Sequence, residues 1–467
     1  MSIINFLDKQ YTSLSDFIKY INNEIHLGNN LNIQDGRGHT MSSKLIKYHA
    51  NLFDFRTHED DNICLETLKK LIDSGANIHI KDNINRTILM RASGDSNAVN
   101  PLIIKLLIDY GADVNMQDKY GKTALMNACR NPGYVKYLDT KNAIEIIKLL
   151  IVSGADLDLR DNNGYTALML ASQYSNIDSS IDVVKLLIDY GADLDARNND
   201  NFTALMLVSK DSYYYSSCKT LKLLIDSGAN LDACDNDNLT ALMYAVRYSK
   251  LSSSIDTVKI LIESGANLNL QKHDGLTALM IASGCSKSGS STETVKLLID
   301  SGANLHITDI YNDTFLSYLV RFSDSLDIIK EVIKMDMDIT INNVTKIPIE
   351  KMNNPKYKAY NGNTLLHWCM IGIKENTSNY EILEYLESLD IDKTLKNGEG
   401  KTYLDYLIVS YYVSTKCEIC HIDENIVMAI LNCSCNCGRQ CVNCAYRLTK
   451  CCYCRTEFDG FKIIRIV

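Results

Sequence analysis

The chain has 467 residues, 46% of them hydrophobic and 22% charged, with 23 Gly and 4 Pro, a composition typical of a globular protein. Its 48 Lys and Arg against 57 Asp and Glu give a net charge of −9, which argues against nucleic-acid binding and favours a protein partner. The sequence has no apolar run of about 18 residues and no N-terminal basic region followed by an apolar core. We therefore expect no membrane span, no secretory signal and a cytoplasmic location.

Two short motifs recur in step along most of the chain. The first, Thr-Ala-Leu-Met or a close variant, begins at Thr87, Thr123, Thr166, Thr203, Thr240, Thr277 and Thr314, at spacings of 36, 43 and then four times 37 residues. The second, Gly-Ala followed by Asp or Asn, begins at Gly75, Gly111, Gly154, Gly191, Gly228, Gly265 and Gly302, each time after an apolar run. Two markers with one shared period indicate a repeated structural unit, of which seven copies are clear.

Residues 164–195 show how one unit is built. Thr166 is placed to cap a short helix, because its hydroxyl accepts a hydrogen bond from an unpaired first-turn amide. Apolar residues at helical spacing from Ile181 to Ile188 predict a second helix, which Gly191 ends. Residues 192–201 alternate like a strand and then turn at Asn and Asp, which predicts a projecting β-hairpin. Two helices and a hairpin cannot bury their apolar faces alone, so we expect the units to stack.

The repeated unit resembles the ankyrin repeat over most of residues 28–412. The resemblance implies an all-α ankyrin solenoid of stacked helix pairs with projecting β-hairpins, and a protein partner bound through the repeats. The unit departs from the family in having Ala where Pro follows Thr, and Met where His is usual, except in Thr364–His367. It is also longer, at about 37 residues instead of about 33, and the extra residues lie between the helices in Ser- and Tyr-rich stretches such as 209–219. These stretches are either binding loops or tolerated insertions.

The ends of the repeat region are less regular. Residues 1–27 are expected to form N-terminal capping helices, followed by about ten repeat units over 28–412. Residues 335–363 hold two of the four prolines and are expected to be an irregular part of the stack. Residues 400–412 are expected to form one closing helix.

The cysteines divide the chain into two regions. Six of the 16 are scattered and are expected to be reduced core residues, whereas ten lie between residues 417 and 454. Eight of these ten form the close pairs Cys417 and Cys420, Cys435 and Cys437, Cys441 and Cys444, and Cys451 and Cys454. Four thiolate pairs are enough for two tetrahedral zinc ions, which a module as short as 414–467 needs in order to fold. Another zinc fold, or an iron–sulfur or redox site that uses Cys433, is the alternative.

This last segment resembles the RING finger, and specifically the C-terminal type found in inhibitor-of-apoptosis proteins. The resemblance implies a small zinc-stabilised α+β domain over 414–467. It implies two zinc sites, the first formed by Cys417, Cys420, Cys441 and Cys444 and the second by Cys435, Cys437, Cys451 and Cys454. Cys437 stands where that family has His, and Cys452 where it usually has Pro. Cys433 and Cys452 are spare thiols, and Cys433 is an alternative to a neighbouring ligand.

A RING finger binds a ubiquitin-conjugating enzyme and accelerates transfer by positioning, without a covalent intermediate. The resemblance implies that Ile419, Leu448 and Tyr453 contact the conjugating enzyme. It also implies that Arg455, just after the final ligand, holds ubiquitin against that enzyme. The alternative is core packing for the three apolar residues and a solvated surface charge for Arg455.

Two functions follow from these patterns. The first is a RING-type ubiquitin ligase, a transferase that recruits a protein substrate through its ankyrin repeats. The second is a non-enzymatic ankyrin scaffold or decoy with a structural zinc-binding cap. The Asn-, Ile-, Asp- and Tyr-rich, Pro-poor composition with a long repeat run also resembles proteins of giant DNA viruses of amoebae, which implies action in a host cytoplasm.

Overall fold

The structure, a computed structural model, divides into two compact units, Met1–Asn267 and Leu268–Val467. Within the ranges below, it contains no helix that is both long and apolar enough to cross a membrane. It describes residues 14–50, 58–94, 100–130, 140–173, 178–211, 218–249, 255–284, 292–323, 325–335, 344–346, 351, 360–375, 378–409, 428–431, 439–441 and 461–462.

The first unit is built from helices that run in pairs after one leading helix. They are α1 (Leu14–His26), α2 (Met41–Ala50), α3 (His58–Asp73), α4 (Ile88–Gly94), α5 (Pro101–Asp109), α6 (Ala124–Arg130), α7 (Thr140–Val152), α8 (Ala167–Gln173), α9 (Asp178–Asp189), α10 (Ala204–Asp211), α11 (Cys218–Asp226), α12 (Ala241–Tyr248) and α13 (Ile255–Glu263). The helix α8 packs against its partner α9 and against α6 and α10 of the flanking repeats. Because neighbours cover it on several sides, Leu168, Met169 and Ala171 are each 1% exposed.

The second unit continues the helix pairs and adds a small sheet. Its helices are α14 (Ala278–Gly284), α15 (Thr292–Asp300), α16 (Phe315–Phe322), α17 (Leu326–Met335), α18 (Leu365–Lys374), α19 (Tyr380–Glu387) and α20 (Tyr403–Val409). Three antiparallel strands, β1 (Met428–Leu431), β2 (Arg439–Cys441) and β3 (Phe461–Lys462), form a sheet in the order β2-β1-β3. In its register Ala429 pairs with Gln440, and Leu431 pairs with Phe461.

The predicted design of the helix pair is confirmed. The backbone N–H of Met169 donates to Thr166 Oγ1 over 3.3 Å, and the same cap recurs at Thr123, Thr203, Thr240 and Thr277. The second helix buries Val184 and Leu187. It ends before Gly191, whose φ of +88° is the left-handed conformation that glycine adopts without strain.

Methionine replaces histidine in most first helices because that site is apolar. Met126, Met169, Met243 and Met280 are each 1% exposed, so the site accepts a side chain without hydrogen bonds. The exception, His367, accepts a bond from the Thr364 backbone N–H (3.2 Å), and its Nε2 lies 3.0 Å from the carbonyl oxygen of Lys401. His367 therefore bonds its own helix start to the next hairpin, whereas the methionines contribute mainly packing, with Met90 Sδ also accepting the Thr87 N–H at 3.5 Å.

The prediction of β-hairpins is wrong in one respect. The described hairpins contain no regular strands, and the isolated bridge that the structure records there joins Cys234 to Thr240. Each hairpin is closed by one or two backbone bonds across a short tip, such as the Asp161 N–H to the Tyr165 carbonyl at 3.0 Å. Too few pairs form to make a ladder, because side chains of Asp and Asn satisfy the remaining amides.

The irregular segment 335–363 contains a lengthened hairpin. The Thr345 N–H donates to the Asn363 carbonyl over 2.9 Å, which is the closure that Asp161 and Tyr165 make in a regular unit. Seventeen residues separate this pair, where three separate Asp161 from Tyr165. The insertion therefore lies at a hairpin tip, and the helix pairs α16–α17 and α18–α19 continue on either side of it.

Candidate protein-interaction surface

An acidic or amide side chain organises most hairpins. We call the residue that opens the tip the turn position; it holds Asp35, Asp82, Asp118, Asp161, Asn198, Asp235, Lys272, Asp309, Thr345 and Asn397 in chain order. At Asp161, Oδ1 accepts the backbone N–H groups of Asn163 and Tyr165, both at 2.9 Å. The carboxylate thus satisfies two backbone amides that would otherwise need a partner strand. The turn therefore requires a side chain with an acceptor oxygen, which explains why Asp or Asn is usual there.

Neighbouring hairpins are bonded to each other through their tips. We call the second residue after the turn position the tip position. In the first unit its carbonyl accepts from the next hairpin, as in Asn162 N–H to Tyr120 O (2.9 Å) and Asn199 N–H to Asn163 O (3.0 Å). A side chain on Gly164 would lie 2.6 Å from the Asn199 nitrogen, so glycine permits this close approach.

A second row of bonds joins the repeats at the base of the hairpins. The carboxylate of Asp158 accepts the Asp193 N–H of the next repeat, that of Asp195 accepts the Asn230 N–H, and that of Asp232 accepts the Asn267 N–H. The distances are 2.9 to 3.0 Å. These residues are the second Asp or Asn of the Gly-Ala motif, so the motif encodes contact between repeats as well as the end of a helix.

In several repeats the first helix reaches back to the turn position of its own hairpin. The fourth residue after the capping threonine carries this contact: Tyr244 donates to Asp235, and Tyr318 donates to Asp309 over 2.6 Å. Burial raises the pKa of Asp309 above its usual value. In other repeats the same position holds Leu170 or Leu207, both buried, which have no group to donate to the turn position.

The lengthened hairpin has a different arrangement around Thr345. The Thr345 hydroxyl donates to Asp313 Oδ1 over 2.8 Å, and the indole N–H of Trp368 lies 3.2 Å from the same oxygen and 3.0 Å from Thr345 Oγ1. Burial, and then the charge of Asp309, raise the pKa of Asp313 to about 7. Arg321 stacks over Trp368, at 4.7 Å from its ring centre, and pairs with Glu375 at 3.1 Å. The Asp313 carboxyl group of the preceding hairpin thus holds this turn, whose own turn position has no carboxyl group.

Comparison with known proteins identifies the repeat. The family model described as ankyrin repeats (3 copies) matches residues 60–144, 139–215, 180–272, 212–309 and 249–343, which together cover more than half of the chain. The chain belongs to the ankyrin-repeat family. It is similar to a solved structure of the ankyrin repeat domain of Bcl-3, a member of the IkappaB protein family, at 26% identity and a TM-score of 0.42. That similarity covers 52% of this chain and 96% of that one. No curated protein matches the chain.

The ankyrin stack is a protein-interaction scaffold, and most of its tip positions carry exposed side chains. In the first unit the tip positions hold Arg37, Ile84, Tyr120, Asn163, Asp200 and Asp237. Tyr120 is 51% exposed, and Ile310, beside a tip in the second unit, is 41% exposed. The sequence analysis did not single out these two apolar residues, although each stands among the polar residues usual for a tip. The tips of the first unit change from basic and apolar to acidic along the chain.

The adjacent residues Asn199 and Asp200 at one hairpin tip have different roles. The Asn199 amide donates to the Asn162 carbonyl over 2.9 Å and so joins two ankyrin repeats. Asp200 is exposed, and its backbone N–H donates to Asn198 Oδ1, so its carboxylate is left at the surface. Turn chemistry therefore accounts for Asn199, while Asp200 is available to a partner.

The residues predicted for the zinc and conjugating-enzyme sites lie almost entirely outside the described part of the chain. Cys441 is the last residue of β2, and its backbone alone is described. Among the described residues, no group of three His, Cys, Asp or Glu side chains is arranged to hold a metal. The other predicted residues lie outside the described ranges: Cys417, Ile419, Cys420, Cys435, Cys437, Cys444, Leu448, Cys451, Tyr453, Cys454 and Arg455.

Proposed function

We propose that this ankyrin-repeat protein is a RING-type ubiquitin ligase that acts in the cytoplasm. One observation carries the proposal: eight cysteines fall in four close pairs, and the last pair is followed directly by Arg455. The ankyrin stack recruits a protein substrate, and residues 414–467 hold a ubiquitin-charged conjugating enzyme. The two parts together bring the protein substrate and the ubiquitin-charged conjugating enzyme onto one chain.

The donor set fits zinc. Eight thiolates in pairs one or two residues apart provide two tetrahedral sulfur sites, which zinc prefers. Short pairs bring two ligands to one metal with little loss of loop entropy. The proposed sites are Cys417, Cys420, Cys441 and Cys444, and then Cys435, Cys437, Cys451 and Cys454. Bound zinc supplies the folding energy that a segment of this length lacks.

The proposed transfer step depends on orientation. Ile419, Leu448 and Tyr453 present apolar surface to the conjugating enzyme, and Arg455 donates charged hydrogen bonds that hold ubiquitin against it. Fixing the thioester near an acceptor amine accelerates transfer by removing translational and rotational freedom, without a bond to the ligase.

The test uses the full chain with activating enzyme, a panel of conjugating enzymes and ubiquitin. We expect autoubiquitination, two zinc ions per chain, and loss of activity on chelation with the repeats still helical by circular dichroism. Arg455→Ala is expected to slow single-turnover discharge about ten- to a hundredfold, the loss of one charge-assisted hydrogen bond, with zinc content unchanged. Arg465→Ala, the same change nearer the C-terminus, serves as the matched control.

Ile419→Ala separates binding from transfer. We expect it to weaken affinity for the uncharged conjugating enzyme, because it removes buried apolar area. Arg455→Ala is expected to leave that affinity unchanged. Two zinc ions without any transfer across the panel would instead support the scaffold with a structural zinc cap, and one zinc or an iron centre would contradict the site assignment.

A further inference from the structure

A pocket of about 360 Å³ lies between the first two hairpins of the first unit. It draws its lining from the hairpin tips and from the helices α2 and α4, so residues far apart in sequence converge on it. The lining residues are Arg37, His39, Lys47, Asp82, Asn83, Ile84, Arg86 and Arg91. Four of these are permanently cationic and one is acidic, in a chain whose net charge is −9.

One carboxylate holds two of the guanidinium groups in place. Asp82 Oδ2 lies 2.9 Å from Arg86 Nη2 and 3.0 Å from Arg91 Nη2, and Asp82 also accepts the backbone N–H groups of Ile84 and Arg86. Hydrogen bonds from these backbone amides and from Arg86 outweigh burial and lower the pKa of Asp82, which is therefore ionised. The carboxylate of Asp82 thus holds both guanidinium groups in fixed positions at the pocket wall.

Two further cations stand at the rim. Arg37 and Lys47 are exposed, and within the described residues neither side chain has a carboxylate partner. The other acidic residue nearby, Asp35, is already paired with Lys44 at 3.0 Å and lies 3.3 Å from His39. Burial and the positive charge of Arg91 lower the pKa of His39, so its ring adds no charge at neutral pH. The rim cations are therefore available to a ligand.

We propose that this pocket binds a phosphate monoester dianion carried by a phosphorylated side chain of a protein partner. Two anchored guanidinium groups at the wall and two exposed cations at the rim match a ligand with two charges and three acceptor oxygens. The arginine pair does not recur in the next two repeats, where the equivalent residues are Lys122 and Asn127 and then Tyr165 and Leu170. The inference rests on the proposed recruitment of a protein by the ankyrin repeats and specifies its chemistry.

The experiment measures binding of a phosphoserine peptide with neutral flanking residues to the full chain, beside the same peptide with Ser or Glu at that position. Arg37→Ala with Lys47→Ala removes the two rim cations and leaves the Asp82 pairs intact. We expect the phosphopeptide to bind at least tenfold more tightly than the other two, and the double variant to lose about ten- to a hundredfold of that affinity. Added salt should weaken the binding.

The matched control is Lys69→Ala with Lys70→Ala, which removes two exposed cations from α3, outside the pocket. It should bind the phosphopeptide like the wild type. Equal affinity for the phosphorylated and unphosphorylated peptides, or equal loss in both double variants, would overturn the proposal. If inorganic phosphate bound as tightly as the phosphopeptide, the proposal that the phosphate is carried by a protein partner would be wrong. Ubiquitin transfer is measured separately, so failure there leaves this result interpretable.

Discussion

Two hairpins of the same backbone design are held by different chemistry. At residues 161–166 the Asp161 side chain closes the turn from within its own repeat. At the lengthened hairpin the backbone closure is kept, with Gly362 N–H donating to Thr345 O at 2.7 Å, but Thr345 is too short to reach both amides. Asp313 from the preceding hairpin and Trp368 from the following helix replace it.

A turn of this kind can therefore be held either by a side chain of its own repeat or by side chains of neighbouring elements. In the local turn the carboxylate that accepts the turn amides, Asp161, belongs to the same repeat. The tertiary version permits a long insertion at the tip, but it buries Asp313 and raises the pKa of this carboxyl to about 7. The regular hairpin is therefore expected to be sensitive to steric change, and the lengthened one to pH.

The largest effect is expected at the regular hairpin. Gly164→Ala places a methyl group 2.6 Å from the Asn199 nitrogen at a φ of +82°, so we expect a loss of roughly 2–5 kcal/mol in the free energy of unfolding. Gly154→Ala has a φ of +89° but no atom within 4 Å, so it should lose about 1–2 kcal/mol. Denaturant titration followed by circular dichroism measures both.

Gly362→Ala applies the same test to the lengthened hairpin. The nearest atoms to its added methyl group lie at 3.3 Å. The loss in the free energy of unfolding should therefore fall between those of Gly154→Ala and Gly164→Ala. Equal losses at Gly154 and Gly164 would show that backbone conformation, and not contact between hairpins, requires glycine there.

The second prediction concerns pH. An aspartate whose pKa rises from 3.8 to about 7 on folding contributes stability that is complete below pH 3.8 and is lost as the pH rises through 7. Asp313→Asn should remove this dependence and stabilise the second unit at pH 8 by up to roughly 4 kcal/mol. Trp368 is the single tryptophan of the chain, so its fluorescence reports the unfolding of this region.

The exposed Asp390 supplies the control for this pH effect. Asp390→Asn removes the same charge from a surface turn and should keep the wild-type dependence on pH. If Asp313→Asn shows the wild-type slope between pH 5 and 8, another buried group, of which Asp309 is the nearest, governs the titration.

A smaller effect is expected where a first helix reaches its turn position. Tyr318→Phe removes the hydroxyl that donates to buried Asp309 and should cost about 1–3 kcal/mol. Tyr110→Phe removes a tyrosine–aspartate bond, to Asp73, at an exposed site and should change stability by less than about 0.5 kcal/mol. Similar losses in both variants would contradict the role given to burial.

The smallest difference is expected between adjacent tip residues. Asn199→Ala breaks the side-chain bond to the Asn162 carbonyl and should cost about 0.5–1.5 kcal/mol. Asp200→Ala should leave stability within about 0.5 kcal/mol and change partner binding instead. A larger loss of stability at Asp200 would mean that its carboxylate holds the hairpin.

The repeat and the helix pair could be predicted from the sequence, because their signals are local. Thr166 caps the helix that begins at the next residue, and Gly191 adopts the left-handed conformation directly after the second helix. The family match confirms the ankyrin fold that these motifs predicted. The zinc sites and the ligase activity stay predictions, since they rest on spacing and resemblance.

The polar residues that act together could not be predicted from the sequence, because folding brings them together from distant positions. Trp368 and Asp313 are 55 residues apart, and no periodicity links them. Arg37, Lys47 and Arg91 converge on one pocket from separate elements. Where the hairpins are described they lack regular strands, because their turn side chains satisfy the amides that strand pairing would have used. Short sequence motifs specify helices and turns, because the backbone hydrogen bonds of these elements join residues close in sequence. The charge state and burial of a side chain depend instead on residues that the stacking of repeats brings next to it.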